Sequence, residues 1–448
     1  MPEDPFVEIH YGPVRLTPPV AAPPKRAPLV TRIGEALGFL RTLIVNLAVI
    51  AAVVALVVLT VAELRRQPVI IEEISLPPAL TARGYSGAVA AQRLWDAITR
   101  VQQDSGTLKE QAALTTVGRQ IDIVEPGTGL SLQGLTQMLR ALLGLPQIRI
   151  AGDVTCETAV CDWSDLRLRL RIFTETGMEL RDVGLLGARG TADYFHRAAL
   201  EAMAVIDPYS LATYRYHLPG GRSEAERIAR DLIATSHPQR AWAATLLGII
   251  AQDQGRHEEA IRNYERATLY AKTDGVRHFV NPWNGWGKSL GALGRNDEAV
   301  EKYRRATEID PEYAYAWYGW GYSLTKLGRY DEAIPAFERA SALDPGYGAP
   351  VNAWAYVLSK LGRHADALPK FEEALAIDPG NRLTAQNWAE SLVHHLDADP
   401  AARCERAKEF APAFRTKAAP LLTRGPELDR ITAAIGECGI SLADAAPE

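Results

Sequence analysis

The sequence predicts an α+β protein with a single transmembrane helix, a small mixed α/β domain and a C-terminal all-α solenoid of helix-turn-helix repeats. Three patterns predict this class. Residues 42–62 are uncharged and mostly apolar, residues 166–172 alternate between aliphatic residues and arginine, and several residue types recur every 34 positions after residue 280. These patterns are typical of a membrane-length helix, a half-buried strand and a stack of repeats, respectively.

The N-terminal part of the chain combines a tail with a membrane anchor. Residues 1–36 are rich in proline and are predicted to form a disordered tail. The anchor is expected at residues 37–66, with the span itself from Thr42 to Ala62. About 21 residues that rise 1.5 Å each cover roughly 31 Å, which is enough for the apolar core of a bilayer. A cleaved signal peptide fits less well, because the apolar stretch is too long and starts too far from the N-terminus.

Basic residues near the span predict its orientation. Four precede it and two follow it closely: Lys25, Arg26, Arg32 and Arg41, then Arg65 and Arg66. By the positive-inside rule, the N-terminus is expected in the cytoplasm. The sequence therefore predicts a single-pass protein of the cell inner membrane, with its C-terminal domains in the periplasm if the source is a Gram-negative bacterium.

Composition and cysteine content limit the possible functions. A net charge of -5 and a pI near 6.1 give no global attraction to nucleic acid. The four cysteines fall into two local pairs, Cys156 with Cys161 and Cys404 with Cys438. In an oxidising compartment these pairs could form disulfides that contribute roughly 2 and 4 kcal/mol on the loop-entropy model. Free buried thiols are the alternative, and no cysteine spacing fits a zinc site.

Residues 68–205 are predicted to form the small α/β domain. A strand with one buried face is indicated by four aliphatic residues that alternate with arginines: Leu166, Leu168, Leu170 and Ile172. Further strands are expected near residues 69–74, 121–124, 148–154 and 178–183, and helices near 86–101, 131–143 and 192–206. The predicted order is β-α-β-α-β-β-β-α.

A row of arginines in this domain has two interpretations. Five arginines are expected on one face of the sheet: Arg149, Arg167, Arg169, Arg171 and Arg181. Such a face could contact anionic lipid headgroups or a cell-wall polymer. Glutamates nearby in the sequence, Glu157, Glu175 and Glu179, make an ordinary solvated face the simpler interpretation.

The segment from Ala314 to Asp344 shows how one repeat unit is built. Trp317, Trp320 and Leu324 recur at helical spacing and predict a first helix with one apolar stripe. Gly328 can take the left-handed conformation that ends this helix. A second helix follows, in which Phe337 fills the space left by small residues on the facing helix.

The same residue types return at matching positions in three consecutive segments: Gly294, Gly328 and Gly362; Ala299, Ala333 and Ala367; Tyr303, Phe337 and Phe371; Pro311, Pro345 and Pro379. With this pattern the region resembles the tetratricopeptide repeat family. The solenoid is assigned to residues 207–393, with the clearest units at 241–274, 280–313, 314–347 and 348–381. The unit at 207–240 is degenerate, and residues 394–448 are expected to form C-terminal capping helices and a tail.

The resemblance implies a protein-binding groove. In this family the first helices line the concave face, and the matching positions here are Asn284, Lys288, Tyr315, Tyr318, Tyr322, Lys326, Asn352, Tyr356, Lys360 and Gln386. Tyrosines beside lysines and amides suit an extended peptide, although individual tyrosines could equally pack between repeats. The Lys/Asn clamp that some members use for peptide C-termini is not reproduced, because Gly319 and Ala353 occupy expected polar positions.

The sequence therefore favours a membrane-anchored adaptor or scaffold of the cell envelope that binds a peptide or protein partner in its repeat groove. No phosphate loop, hydrolase or metalloprotease motif is found, so we expect no enzymatic activity, no cofactor, no metal site and no nucleic-acid partner. The alternative is a ligand-sensing regulatory membrane protein that uses the domain at residues 68–205.

Overall fold

The computed structural model describes residues 69–106, 114–116, 147–156, 158, 165–186, 190–423 and 425–442, together with parts of 40–61 and 138–145. The chain forms two compact units, one of residues 1–67 with 121–146 and one of residues 68–120 with 147–448. The predicted tail, the predicted strand at 121–124 and most of the predicted helix at 131–143 lie outside the described residues.

In the first unit, the described residues between 40 and 61 are helical. Their large apolar side chains are 42 to 60% exposed to solvent. Six residues of the predicted span, at positions 42, 52, 56, 59, 60 and 62, lie outside the described part. Among the residues that are described, no helix has both the length and the apolar character needed to cross a membrane.

The second unit begins with a five-stranded sheet in the order β2-β1-β3-β4-β5. Its strands are β1 (Val69–Ile71), β2 (Leu114–Thr116), β3 (Ile148–Cys156), β4 (Leu166–Thr174) and β5 (Gly177–Leu185). Strand β1 pairs in parallel with β2 and β3, whereas β3, β4 and β5 pair antiparallel. The helices of this domain are α1 (Pro78–Thr81), α2 (Gly87–Asp104) and α3 (Gly190–Ile206), of which α2 and α3 pack together.

The alternation that predicted β4 is confirmed. Leu168, Leu170 and Ile172 are buried in the core, while Arg169 and Arg171 are exposed. Tyr194 of α3 ties the sheet to this helix, because its hydroxyl lies 2.9 Å from the carbonyl oxygen of Gly184. Strand β2 at 114–116 was not predicted, and the strand predicted at 121–124 lies outside the described residues.

The arginine row is only partly as expected. Arg181 pairs with Leu170 across β4 and β5, so it belongs to the other face of the sheet from Arg169 and Arg171, and the prediction of a single face was wrong for it. Most of the remaining arginines form ion pairs: Arg149 with Glu72 at 3.2 Å, Arg167 with Asp182 at 2.7 Å and Arg171 with Asp153 at 3.0 Å. These carboxylates largely neutralise the row, which favours a solvated face.

The rest of the unit is helical. First helices of successive repeats are α4 (Pro208–His217), α6 (Arg240–Asp253), α8 (Asn281–Ala292), α10 (Ala314–Lys326), α12 (Gly348–Lys360) and α14 (Arg382–Asp397). Second helices are α5 (Arg222–Ala234), α7 (His257–Thr273), α9 (Asn296–Ile309), α11 (Tyr330–Leu343) and α13 (His364–Ile377). Two further helices, α15 (Arg403–Lys417) and α16 (Pro426–Gly436), follow α14. The protein is thus mostly helical, with one small sheet and a C-terminal region of helical repeats.

Glycines opposite aromatic rings hold the repeats together. A Cβ atom added to Gly321 would lie 2.8 Å from the ring of Phe337, and one added to Gly319 would lie 2.3 Å from the ring of Tyr303. Gly328 has a φ of 74°, as predicted for the residue that ends a first helix. The small residues therefore let the backbone approach the aromatic side chains at van der Waals distance.

The two ends of the repeat array are covered in different ways. At the N-terminal end, one hydrophobic core continues from Leu168 in the sheet through Ala198 in α3 to Leu246 in α6. At the C-terminal end, Trp388 and Phe414 share a core with Ile431 and Ile435 of α16. A disulfide between Cys404 and Cys438 joins α15 to the chain just after α16.

Candidate functional site

The first helices of the repeats lie side by side. Helix α10 contacts both α8 and α12, and α12 also contacts α14, whereas successive second helices contact each other less closely. In a curved stack of helices, the layer with the closer contacts lies on the inner side. The first helices therefore line the inner side of the array, in agreement with the resemblance.

All ten predicted groove residues lie on first helices. Asn284 and Lys288 are on α8, four residues from Tyr315 to Lys326 are on α10, and the others are on α12 and α14. They are not equally accessible. Tyr315 and Tyr322 are 51% and 45% exposed, whereas Tyr318 is half-buried.

Five tyrosines form a continuous group, here called the tyrosine cluster: Tyr313, Tyr315, Tyr318, Tyr322 and Tyr347. The ring centroids of Tyr315 and Tyr347 are 5.0 Å apart, and those of Tyr347 and Tyr318 are 5.3 Å apart. Tyr322 adjoins Tyr318 at 6.1 Å. The cluster thus presents two exposed rings on a base of half-buried ones.

Two members of the cluster were not predicted as site residues. Tyr313 and Tyr347 precede α10 and α12 and are 34 positions apart, so the repeat period could have revealed them. The centroid of Tyr318 lies 6.0 Å from that of Phe337, which means that Tyr318 also packs between helices. The exposed part of the site is therefore centred on Tyr315 and Tyr322.

Burial keeps the inner tyrosines neutral. It raises the pKa of Tyr318 and of Tyr347 above the usual tyrosine value, and neighbouring tyrosines add to the effect. A neutral phenol can both donate and accept a hydrogen bond. The cluster therefore offers ring surface together with hydroxyl groups throughout the physiological pH range.

Two lysines of the predicted groove lie over tyrosine rings on the inner side of the array. The Nζ of Lys326 is 5.1 Å from the ring centroid of Tyr322, and that of Lys360 is 5.0 Å from the ring centroid of Tyr356. Lys360 also donates to Glu390 at 3.0 Å, and this hydrogen bond raises the pKa of the lysine. Lys326 has no carboxylate partner within the described part of the chain, so its ammonium group can pair with an anionic ligand.

One amide residue of the predicted groove, Asn352, already has a hydrogen-bond partner. The Nδ2 of Asn387, a residue that was not predicted, donates to Oδ1 of Asn352 at 3.3 Å.

Gly319 lies where a clamp residue would be expected, and any side chain there would overlap Tyr303. The packing of Tyr303 therefore explains why the clamp is absent.

The sheet domain contains one small apolar pocket among its described residues that bears on the alternative function. Leu80, Val89 and Phe195 are among the residues that line it, and its volume is about 80 Å³. Ligand pockets typically span roughly 300–1,000 Å³. Within the described residues, no group of three or more His, Cys, Asp or Glu side chains is placed to hold a metal ion.

Comparisons with known proteins agree with the repeat architecture. Residues 284–348 and residues 243–274 match two models of the tetratricopeptide repeat. These segments, which include α10 and its tyrosines, are thus tetratricopeptide repeats. A search of curated proteins finds no match.

Several solved structures are similar to part of this chain. A MamA structure from AMB-1 is 27% identical, with 39% of this chain and 89% of MamA covered and a TM-score of 0.32. MamA 41-end from Desulfovibrio magneticus RS-1 is 19% identical over 42% and 92% of the two chains, with a TM-score of 0.32. YrrB, described as a TPR protein with an unusual peptide-binding site, is 18% identical, with 41% of this chain and 92% of YrrB covered and a TM-score of 0.33. No functional conclusion follows from likenesses at these TM-scores.

Proposed function

We propose that this protein is a membrane-anchored adaptor of the cell envelope that binds a protein partner, through an extended peptide segment, at the tyrosine cluster. One observation carries the proposal: Tyr315 and Tyr322 expose about half of their surface on the helix layer that lines the inner side of the repeats. A solvent-exposed group of aromatic rings is typical of a recognition surface.

The chemistry of the site fits a peptide. The rings of Tyr315 and Tyr347 provide area for an apolar side chain, while the hydroxyl groups can bond the peptide backbone. Lys326 supplies a positive charge at one side of the cluster. We therefore expect the partner segment to carry an apolar residue followed or preceded by a carboxylate.

The membrane part of the proposal is supported by the segment around residue 50. Its described residues are helical, and their large apolar side chains are exposed. In water such a surface is unfavourable, whereas a bilayer would bury it. We propose that this segment anchors the protein, with the N-terminus in the cytoplasm.

The cysteines support a location of the repeats outside the cytoplasm. Cys404 is bonded to Cys438, and Cys156 is also in a disulfide, while the predicted partner Cys161 lies outside the described residues. Disulfides persist mainly in oxidising compartments. We expect trypsin added to spheroplasts to digest the repeats while residues near the N-terminus stay protected. Protection of the repeats would contradict the periplasmic location.

The partner-binding proposal is tested with Tyr315→Ala combined with Tyr322→Ala. Both side chains are exposed, so the double variant should keep the wild-type melting temperature and lose most of its co-purification with the partner after crosslinking in intact membranes. Leu269→Ala is the matched control, because Leu269 is 59% exposed on the second helix α7. Equal recovery of the partner with both proteins would contradict the proposal.

The alternative function, ligand sensing by the sheet domain, has less support. Its small apolar pocket could admit only a group of a few atoms. Because the core of this domain continues into α4 and α6, ligand binding should be measured on the full chain and not on an isolated fragment. A ligand that raises the melting temperature of the full chain, and fails to do so after Val89→Trp, would favour this alternative.

A further inference from the structure

A ladder of tryptophans runs through the repeats. The same position of four first helices holds Trp286, Trp320, Trp354 and Trp388, at a spacing of 34 residues. On the facing second helices, Lys302 lies 3.8 Å from the ring centroid of Trp286, and Lys370 lies 4.3 Å from that of Trp354. In the repeats of Trp286 and Trp354, an indole ring thus fills a slot that a lysine covers, whereas the matching position beside Trp320 holds Ala336.

The ladder does not extend into the preceding repeat at residues 241–274. There the position of Trp286 is taken by Leu247, and that of Lys302 by Asn263; both lie 39 residues earlier, because five extra residues separate the two repeats. Leucine and asparagine are much smaller than tryptophan and lysine. The structure accordingly has a pocket of about 290 Å³ at this place, lined by Leu247 and Asn263.

Charged side chains from two neighbouring second helices surround this pocket. Glu226 and Arg230 come from α5, whereas Glu259 and Arg266 come from α7. Arg256, just before α7, completes the lining. Glu226 pairs with Arg230 at 3.1 Å and lies 3.6 Å from Arg256, so the acidic groups are held beside the basic ones.

Two polar groups of the pocket are left without partners. Asn263 is only 6% exposed, and its side-chain amide makes no hydrogen bond with any described residue. Because no described residue takes up this amide, it is available to a ligand as a hydrogen-bond donor and acceptor. Arg266, at the exposed rim of the pocket, has neither an ion pair nor a hydrogen bond within the described part of the chain.

We propose that this pocket binds a free aromatic amino acid as a zwitterion, in the slot that the missing indole leaves. The ring would pack on Leu247 and hydrogen-bond the amide of Asn263, as an indole N–H can. The carboxylate would pair with Arg266, and the ammonium group with Glu226 or Glu259. The pocket lies among the second helices and is therefore separate from the tyrosine cluster.

L-tryptophan is the probe. Isothermal titration of the full chain in mild detergent should give saturable binding at one site, and N-acetyl-L-tryptophanamide, which lacks both charges, should bind at least tenfold more weakly. Arg266→Gln should weaken L-tryptophan binding at least fivefold. Arg262→Gln is its control, because Arg262 is an exposed residue of the same helix that does not line the pocket.

Leu247→Trp tests the origin of the pocket. It restores the ladder, so the variant should melt at or above the wild-type temperature and lose L-tryptophan binding. If Leu247→Trp does not fold, Asn263→Lys, which introduces the residue found at 302 and 370, should abolish binding instead. The proposal is overturned if wild type shows no saturable binding, if the blocked compound binds equally, or if a folded pocket variant binds as wild type does.

Discussion

The two ends of the repeat array are covered by different kinds of structure. A helical repeat exposes an apolar face wherever it lacks a neighbour. The N-terminal end is covered by the sheet domain, whose core continues into α4 and α6 without a break. The C-terminal end is covered by two short helices that a disulfide holds in place.

The two ends therefore differ in how many elements contribute to their stability. The N-terminal cover brings a sheet and three helices, so its stability is distributed over a large core. The C-terminal cover consists of two helices, and a covalent bond adds to the packing of Phe414, Ile431 and Ile435. Between the ends, glycine and aromatic pairs hold the repeats together, and Tyr315 and Tyr322 of α10 face solvent.

The largest expected effect comes from removing the disulfide. Cys404→Ser with Cys438→Ser opens a loop of sequence separation 34, and the loop-entropy model gives a loss of about 4 kcal/mol. Hydrogen exchange should show faster opening of α14 to α16, while the sheet domain keeps its protection. Uniform loss of protection along the chain would contradict the idea that the two ends are stabilised separately.

A smaller effect is expected from the packing between the ends. Gly319→Ala places a Cβ against the buried ring of Tyr303 and should lower the free energy of unfolding by roughly 1–3 kcal/mol. In Gly291→Ala, the nearest atom to the new Cβ is Asn296 Oδ1 at 3.9 Å, so this control should be neutral or gain up to about 1 kcal/mol. Urea denaturation of both variants measures the contrast. Equal stability of the two would show that the glycines do not set the helix spacing.

The smallest expected effect is a pH dependence of the C-terminal end. His364 lies 3.1 Å from Ser391 and stacks on His394, and burial, followed by the charges of His394 and His395, lowers its pKa. Burial, followed by Arg406, also lowers the pKa of His395. Folding favours the neutral form of His364 and His395, because their pKa values are lower in the folded state than in the unfolded state. Their contribution to the free energy of unfolding is therefore complete above about pH 6.5, and it is lost as the pH falls through the folded-state pKa values.

The measurement is the melting temperature between pH 7.5 and pH 5. It should fall over this range in wild type, and His364→Gln should reduce the slope, because one of the depressed groups is then absent. If the melting temperature of His364→Gln falls with pH as steeply as that of the wild type, His364 does not contribute to the pH dependence of stability.

Much of the architecture could be predicted from the sequence because it depends on local periodicity. The recurrence of Gly328 and Phe337 every 34 residues gives the helix pairs, and the alternation around Leu168 gives β4. The face of Arg181 was not predicted, because it depends on the hairpin register, in which Thr174 pairs with Gly177 and Arg181 therefore pairs with Leu170.

The site was predicted in part. All ten groove residues lie on first helices, yet the sequence could not distinguish exposed Tyr322 from half-buried Tyr318, since that difference depends on the contact of Tyr318 with Phe337. The pocket beside Asn263 was missed for another reason. It arises where Leu247 is smaller than the tryptophan of the following repeats, and its lining also includes Glu226 and Arg230 of α5, which the sequence alone does not place beside Leu247.

The central claim is that the tyrosines of α10 form the partner-binding surface, and site-specific photocrosslinking tests it most directly. A photoreactive phenylalanine analogue is placed at Tyr322 in one protein and, as a control, at the exposed Glu338 of the second helix α11 in another. Irradiation of intact cells should give a discrete crosslinked partner from position 322 and none from position 338. The same crosslinks from both positions, or none from position 322, would contradict the account.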